Sequence, residues 1–269
     1  MMRYAALVRA SLALTAAAFT ACSDQAPTTA PATEEPNLIT NGTPTGTSYG
    51  NVGSVLIDLG GDGVAEMYCT GTLISETVFL TAAHCLDFPA TTKYYVTFAP
   101  SLLTGPYILA TEVHIHPDYA SAFVDIGVVI LPEGTTTGIT PAELPTLGYL
   151  DEVFARGGQA HTPAVLVGYG TTSLGRGNTE PEFQGIRMVA QTRILQVLGG
   201  FLFVATNAVN AGRGGSCFGD SGGPLFLASD LTTVVGVTSI TTNGACISQG
   251  GYVRLDTEVA LSFLTPFLE

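Results

Sequence analysis

The sequence predicts an all-β fold, and three observations carry that expectation. Apolar residues fall in short runs of strand length, separated by Gly, Pro, Asn and Thr. Gly and Pro are abundant, 32 and 15 of 269 residues, which favours turns over a helical bundle. Helical spacing occurs in one stretch, 256–269, where Val259, Phe263 and Phe267 share a face. The expected strands are 54–59, 68–74, 78–82, 94–98, 125–131, 164–167, 186–189, 201–204, 224–227 and 234–239. Many short strands with loop-rich joints make a β-sandwich or a pair of barrels. Pro132, Pro141, Pro145 and Gly157-Gly158 mark 132–160 as the connector between two halves. No repeat of 20–50 residues is present.

Composition narrows the function. Hydrophobic residues make up 46% and charged residues 12%, enough apolar material for a core. Nine basic residues face 22 acidic ones, a net charge of −13. Such a chain has no electrostatic footprint for nucleic acid or anionic headgroups.

The N-terminal 22 residues read as an export signal. Arg3 and Arg9 flank a short basic region, and an apolar run, 10–21, follows that is too short to span a bilayer. Phe19-Thr20-Ala21-Cys22 resembles a bacterial lipobox, with Cys22 as the lipidated mature terminus; Phe19 stands where an aliphatic residue is usual. The alternative is an ordinary signal cleaved near Ala16-Ala17-Ala18. Residues 23–37 are rich in Pro, Thr, Ala and Glu, the composition of a solvated tether or propeptide. Export implies an oxidising compartment. Of five cysteines, lipidation of Cys22 leaves four, enough for two disulfides.

Three segments concentrate chemistry: Leu80-Thr81-Ala82-Ala83-His84-Cys85, Asp125-Ile126-Gly127-Val128-Val129 and Cys217-Phe218-Gly219-Asp220-Ser221-Gly222-Gly223-Pro224. Each alone reads as structure, since a His beside a Cys packs, an Asp before a strand caps, and a Gly-rich loop turns. Together, in the order His, Asp, Ser, they resemble the chymotrypsin/trypsin family of serine endopeptidases. The resemblance runs from Ile39 to Glu269. GDSGGP is its most specific motif and TAAHC is nearly as specific. Weaker landmarks are Cys69-Thr70-Gly71-Thr72-Leu73-Ile74, where the family has CGGSLI, and His116-Pro117-Asp118-Tyr119. Gly168-Tyr169-Gly170 stands for the family's usual GWG.

The resemblance implies two antiparallel β-barrels, about 50–131 and 161–255, then a C-terminal helix. It implies disulfides Cys69–Cys85 and Cys217–Cys246, no cofactor and no metal. Its partners would be polypeptide substrates, acted on by an exported monomer, either secreted, periplasmic or held at the outer membrane through Cys22. A Ser hydroxyl needs an adjacent base to attack an amide, and neutral imidazole suits that task. A buried carboxylate then orients the ring and stabilises the imidazolium. The expected roles are Ser221 nucleophile, His84 base and acid, Asp125 orienter. Gly219 and Ser221 would supply the oxyanion N–H pair.

By motif position, Gly215 lies at the base of the primary specificity pocket, followed by Ser216. Ser239-Ile240-Thr241 stands where the family has SWG, and Thr241 and Gly250 form the walls. With no acid at Gly215, a cationic side chain has no counter-charge. Thr241 in place of glycine narrows the entrance, so small or medium apolar residues are expected before the cut. Ile39-Thr40-Asn41-Gly42 resembles the family's IVNG start, which pairs Ile39 with Asp220 after activation cleavage. Leu38 precedes it, and no Arg or Lys lies between Arg9 and Lys93, so a trypsin-like activator has no site there.

Rival readings weigh less. His114 and His116 at i, i+2 lack a third metal ligand. Asp118 sits in a Pro turn, whereas Asp125 precedes an apolar run. Asp58, Asp62 and Glu66 do not have the spacing of a calcium loop and suit a solvated hairpin. A catalytically silent binding module on the same fold is the competing function.

Overall fold

The structure is a computed structural model that describes residues 39, 42–119, 122–158, 161–171, 184–206, 214–242, 246 and 248–268. The expected signal, its Cys22 and the 23–37 tether lie outside the described residues. Strand β1 (Thr43–Pro44), which joins the edge of a second sheet, precedes the first sheet in sequence. That sheet holds β2 (Val52–Asp58), β3 (Glu66–Leu73), β4 (Val78–Thr81), β5 (Lys93–Thr97), β6 (Ile108–Leu109), β7 (Glu112–Ile115) and β8 (Gly127–Ile130). Its order is β6-β5-β2-β3-β4-β8-β7, and every neighbouring pair is antiparallel.

The second sheet holds β9 (Thr162–Gly168), β10 (Met188–Leu198), β11 (Phe201–Thr206), β12 (Pro224–Leu227), β13 (Asp230–Thr241) and β14 (Ser248–Arg254). The order is β1-β10-β11-β14-β13-β12-β9, and β9 pairs back onto β10, so these six longer strands close on themselves. Closure leaves no open edge among them. This is the all-β, two-barrel chymotrypsin fold.

Local pattern explains most elements. All seven residues of β2 are buried, as are Val234–Ser239 in β13, because both faces of these segments meet protein. Strand β10 alternates instead, with Met188, Ala190, Thr192 and Ile194 buried. Its expected extent was 186–189. Gln191, Thr192 and Arg193 interrupt the apolar run, yet the strand runs to Leu198 because its period-two pattern survives them.

Two further differences have physical causes. The 132–160 connector contains a helix, α1 (Tyr149–Gly157). Its N-terminus is held from outside, since Leu150 N–H donates to Asp256 Oδ2 at 2.7 Å and Gly148 N–H to the Asp256 carbonyl at 2.9 Å. The C-terminal helix α2 (Glu258–Leu264) gives way at Pro266 to a 3₁₀ turn, Thr265–Phe267. Ala260 and Leu264 are its buried residues, whereas Val259 is half exposed. Phe263 and Phe267 stack on His116 and His114, each with ring centroids 4.9 Å apart.

Asp256 also anchors Arg254. The guanidinium donates to both Asp256 oxygens, at 2.5 and 2.9 Å, and to Asp151 at 2.7 Å. The Asp256 side chain is fully buried, whereas that of Asp151 is 69% exposed. Removing one partner of a buried pair leaves an uncompensated charge. Asp256→Ala is therefore expected to lower the unfolding free energy by about 3 kcal/mol. Asp151→Ala should cost less than about 1 kcal/mol, because its carboxylate is solvated. Urea unfolding of both variants at pH 7 measures the contrast.

Candidate active site

His84 sits in a 3₁₀ turn, Ala83–Cys85, directly after the fully buried β4. The Cys69–Cys85 disulfide ties that turn to β3. A loop of this length, 16 residues apart in sequence, contributes about 3 kcal/mol in a chain-entropy account. Asp125, 2% exposed, lies just before β8. Its Oδ1 accepts the His84 backbone N–H at 2.8 Å, and its Oδ2 lies 2.7 Å from His84 Nδ1. Ser239 from β13 donates its hydroxyl to the same Oδ2 at 2.6 Å. A carboxylate acceptor assigns the ring proton to Nδ1 and leaves Nε2 as a free lone pair. Asp118, the rival acid, instead donates its backbone N–H to His116 Nδ1.

The loop Cys217–Gly223 carries Ser221 into β12. The Ser221 carbonyl accepts Thr70 N–H at 2.8 Å, and Gly222 lies against Thr81 and Ala82, just ahead of His84. Gly222 N–H donates to Thr238 O at 2.7 Å, and Thr238 N–H to Gly223 O at 2.9 Å. The structure thus brings the Ser221 loop beside the His84 turn. Among the described residues no hydrogen bond joins Ser221 Oγ to the imidazole. Asp220 N–H and Gly222 N–H have carbonyl acceptors, whereas Gly219 N–H and Ser221 N–H have no described acceptor. Gly219 has φ +92°, a region that suits glycine.

Asp220 is buried, 2% exposed. Its Oδ1 accepts Gly170 N–H and its Oδ2 accepts Cys217 N–H, each at 2.8 Å. Burial pushes its pKa up to about 7, against those two lowering bonds. A Cβ on Gly168 or Gly170 would stand 2.3 or 2.5 Å from this carboxyl group, so both flanks of Tyr169 must be glycine. Thr70 adds a brace that sequence reasoning missed. Its hydroxyl donates to Gly219 O at 2.9 Å and accepts Tyr169 N–H at 3.1 Å. The available signal was Thr70 itself, standing where the family motif has glycine.

The expected pocket residues converge in part. Thr241 and Gly250 are direct partners across β13 and β14. Ser216 is fully buried, and its Oγ accepts the Tyr252 hydroxyl at 2.9 Å. A Cβ on Gly250 would meet Ser216 Oγ at 2.8 Å. Gly215 is also buried, and neither it nor Ser216 carries charge. The second expected disulfide, Cys217–Cys246, is formed and braces this loop. Ile39 is fully buried in the core of the second sheet with φ +46°, an outlying conformation for a β-branched residue. The two described partners of Asp220 are backbone N–H groups, and Ile39 is not among them.

The remaining candidates have other roles. His114 Nε2 bonds Glu112 at 2.9 Å. Asp58, 3% exposed rather than solvated, accepts Gly61 and Gly63 N–H and shapes the β2–β3 hairpin. Among the described residues, one cluster has metal-ligand geometry: Cys69, His84 and Cys85. Its two sulfurs are bonded to each other, so no thiolate is available.

The trypsin family model matches residues 46–261. The chain is 28% identical over 184 residues to a trypsin of Saccharopolyspora erythraea, covering 65% of this chain and 75% of that one. It is 29% identical over 191 residues to chymotrypsin-like elastase family member 1 of Bos taurus, covering 66% and 70%. Clotting factor C of Tachypleus tridentatus is 27% identical over 243 residues, 75% of this chain, which spans 22% of that protein's length. A solved collagenase structure, titled HL collagenase, superposes with a TM-score of 0.63 at 22% identity, covering 85% of this chain and 96% of its own. The superposition and the strand order agree on a two-barrel, chymotrypsin-like fold. The chain belongs to the trypsin family. Family and disulfides together point to an exported protein.

The raised pKa of Asp220 predicts a pH effect with a definite sign. Between about pH 4 and about pH 7 the unfolded chain has lost this proton and the folded chain retains it. The Asp220 contribution to stability is therefore least unfavourable at low pH and worsens as pH rises to about 7. Three pKa units correspond to about 4 kcal/mol. Unfolding free energies of the wild type and Asp220→Asn, measured from pH 4 to 8, should diverge over this window, with the wild type losing more. Parallel curves would refute the assignment.

Proposed function

We propose that this protein is a serine endopeptidase in which Ser221 is the nucleophile, His84 the base and acid, and Asp125 the orienting carboxylate. The observation that carries the reading is the Ser239–Asp125–His84 chain, with Nδ1 engaged and Nε2 free, beside the loop that bears Ser221. A Ser221–His84 hydrogen bond forms when substrate fills the site, as catalytic hydrogen bonds commonly close only in the substrate complex. Ser221 Oγ attacks the scissile carbonyl carbon as His84 Nε2 takes its proton. The carbonyl oxygen becomes an oxyanion accepting Gly219 and Ser221 N–H. His84 then returns the proton to the departing amine, and water releases the acyl group by the reverse sequence.

Cleavage follows small or medium apolar residues. Uncharged Gly215 and Ser216 offer nothing to offset desolvation of Arg or Lys, and Thr241 narrows the mouth. The similarity to a protein named an elastase agrees with this preference. The proposed zymogen is held to the outer membrane by lipid on Cys22. Cutting after Leu38 would free the Ile39 amine to pair with Asp220 and release the domain from its tether.

Four measurements test these readings. A fluorophosphonate should label Ser221, and Ser221→Ala should abolish both labelling and hydrolysis. Asp125→Asn should lower kcat about 10⁴-fold. A peptide library should show Ala, Val or Leu before the cut, and a profile of Arg or Lys would refute the pocket assignment. Amino-terminal sequencing should find Ile39 on the active, released form and a blocked Cys22 on the membrane-bound form. Full activity in a chain with no break before Ile39 would eliminate the activation scheme.

A further inference from the structure

Among the described residues few sulfur groups are open to a mild oxidant. The chain has no Trp. Cys69, Cys85, Cys217 and Cys246 are all bonded as disulfides. Met188 is fully buried in the second core. Met1, Met2 and Cys22 lie outside the described residues. Among the described residues this leaves one methionine that is partly exposed, Met67, half-buried in β3.

Met67 lies against the nucleophile loop. Its Cε is 3.1 Å and its Sδ 3.5 Å from the point where a Cβ on Gly219 would stand. The methyl thioether therefore covers the face of Gly219 that a side chain would otherwise fill. Thioether sulfur is a weak acceptor, so this contact is apolar and does not compete for the Gly219 N–H.

We infer that Met67 is an oxidative modification site through which a peroxide shuts down the Ser221 centre. The Sδ lone pair takes one oxygen atom from the peroxide as its O–O bond breaks. The second oxygen leaves as water, or as an alcohol from an organic peroxide. Sulfur loses two electrons and the peroxide gains two. The product is the sulfoxide, a polar and chiral group in place of a flexible apolar one. Its oxygen is a strong acceptor beside Gly219, where it competes with the substrate oxyanion for the N–H donors. It also carries a dipole into a packed contact, which displaces Gly219 from its φ +92° conformation. Either effect lowers turnover, and sulfoxide reduction restores it. The inference rests on the peptidase reading through the role of Gly219; the selectivity for Met67 does not.

The test is a hydrogen peroxide titration of the full purified chain. Peptide mass spectrometry reads oxygen uptake at Met67 and Met188, and hydrolysis of a peptide ester reads kcat/KM. Met67 should gain one oxygen before Met188 gains any. The rate should fall in proportion to oxidised Met67, by on the order of 100-fold at completion, the loss expected for one oxyanion donor. Met67→Leu should keep its own starting rate through the same titration. Complete Met67 oxidation with an unchanged rate would overturn the inference. Earlier oxidation of Met188, or equal inactivation of Met67→Leu, would do the same. Failure of the peptidase reading is separately visible, as an untreated chain with no turnover and no fluorophosphonate adduct at Ser221. Met67 selectivity is then still decided by mass.

Discussion

The site is organised around one buried carboxyl group, that of Asp220. It is nearly without solvent, and two backbone N–H groups, from Gly170 and Cys217, are its described partners. Taking a carboxyl out of water raises its pKa, and two hydrogen bonds recover part of the cost. The geometric demands are stricter still. Side chains are excluded from Gly168 and Gly170, and Gly219 must hold a positive φ. Ser221 inherits its place from these constraints, because it is the next residue along the chain.

Tyr169 stands between the two glycines and carries the constraint outward. Its hydroxyl donates to Ala99 O at 2.7 Å, and it lies 3.4 Å from Arg187. Arg187 is 1% exposed, and its described partners are neutral oxygens. It donates to the Thr45 hydroxyl and to the carbonyls of Gly46, Ser48, Val52 and Phe98, between 2.9 and 3.4 Å. A guanidinium cannot shed its proton, so this burial is tolerable because every N–H direction has an acceptor. The cation thereby joins the segment before β2, the two strand ends of the first sheet and the strand beside Asp220. Burial holds the Tyr169 hydroxyl neutral, with its pKa pushed up to about 12.

The elements most legible in the sequence are those with a local cause. The expected runs 78–82, 201–204 and 224–227 overlay β4, β11 and β12, because short β-rich stretches bounded by turns have few alternatives. Helix α1 was not legible. Its Gly148 and Leu150 N–H groups are satisfied by Asp256, more than a hundred residues away, and no local side-chain cap announces it. In α2 the expected face is split: Phe263 and Phe267 pack partly buried against the core, Val259 is half exposed, and the fully buried residues are Ala260 and Leu264. Either face fits the spacing, and packing against the domain selects Ala260 and Leu264. The roles of Thr70, Met67 and Arg187 were not legible, because each acts on a segment that only folding brings near.

By itself, the sequence determined the all-β class and the disulfide partners implied by the family motifs, and it raised the expectation of a site built on His84, Asp125 and Ser221. These follow from residue types and short motifs, whose chemistry needs little context. The tertiary structure decided the contacts that give those residues their surroundings. It brought Ser239 to Asp125, set Asp220 between Gly170 and Cys217, and laid Met67 over Gly219. Such contacts join segments that are distant in sequence. Their energies depend on burial and on distances of a few ångströms, and neither exists until both barrels have closed around them.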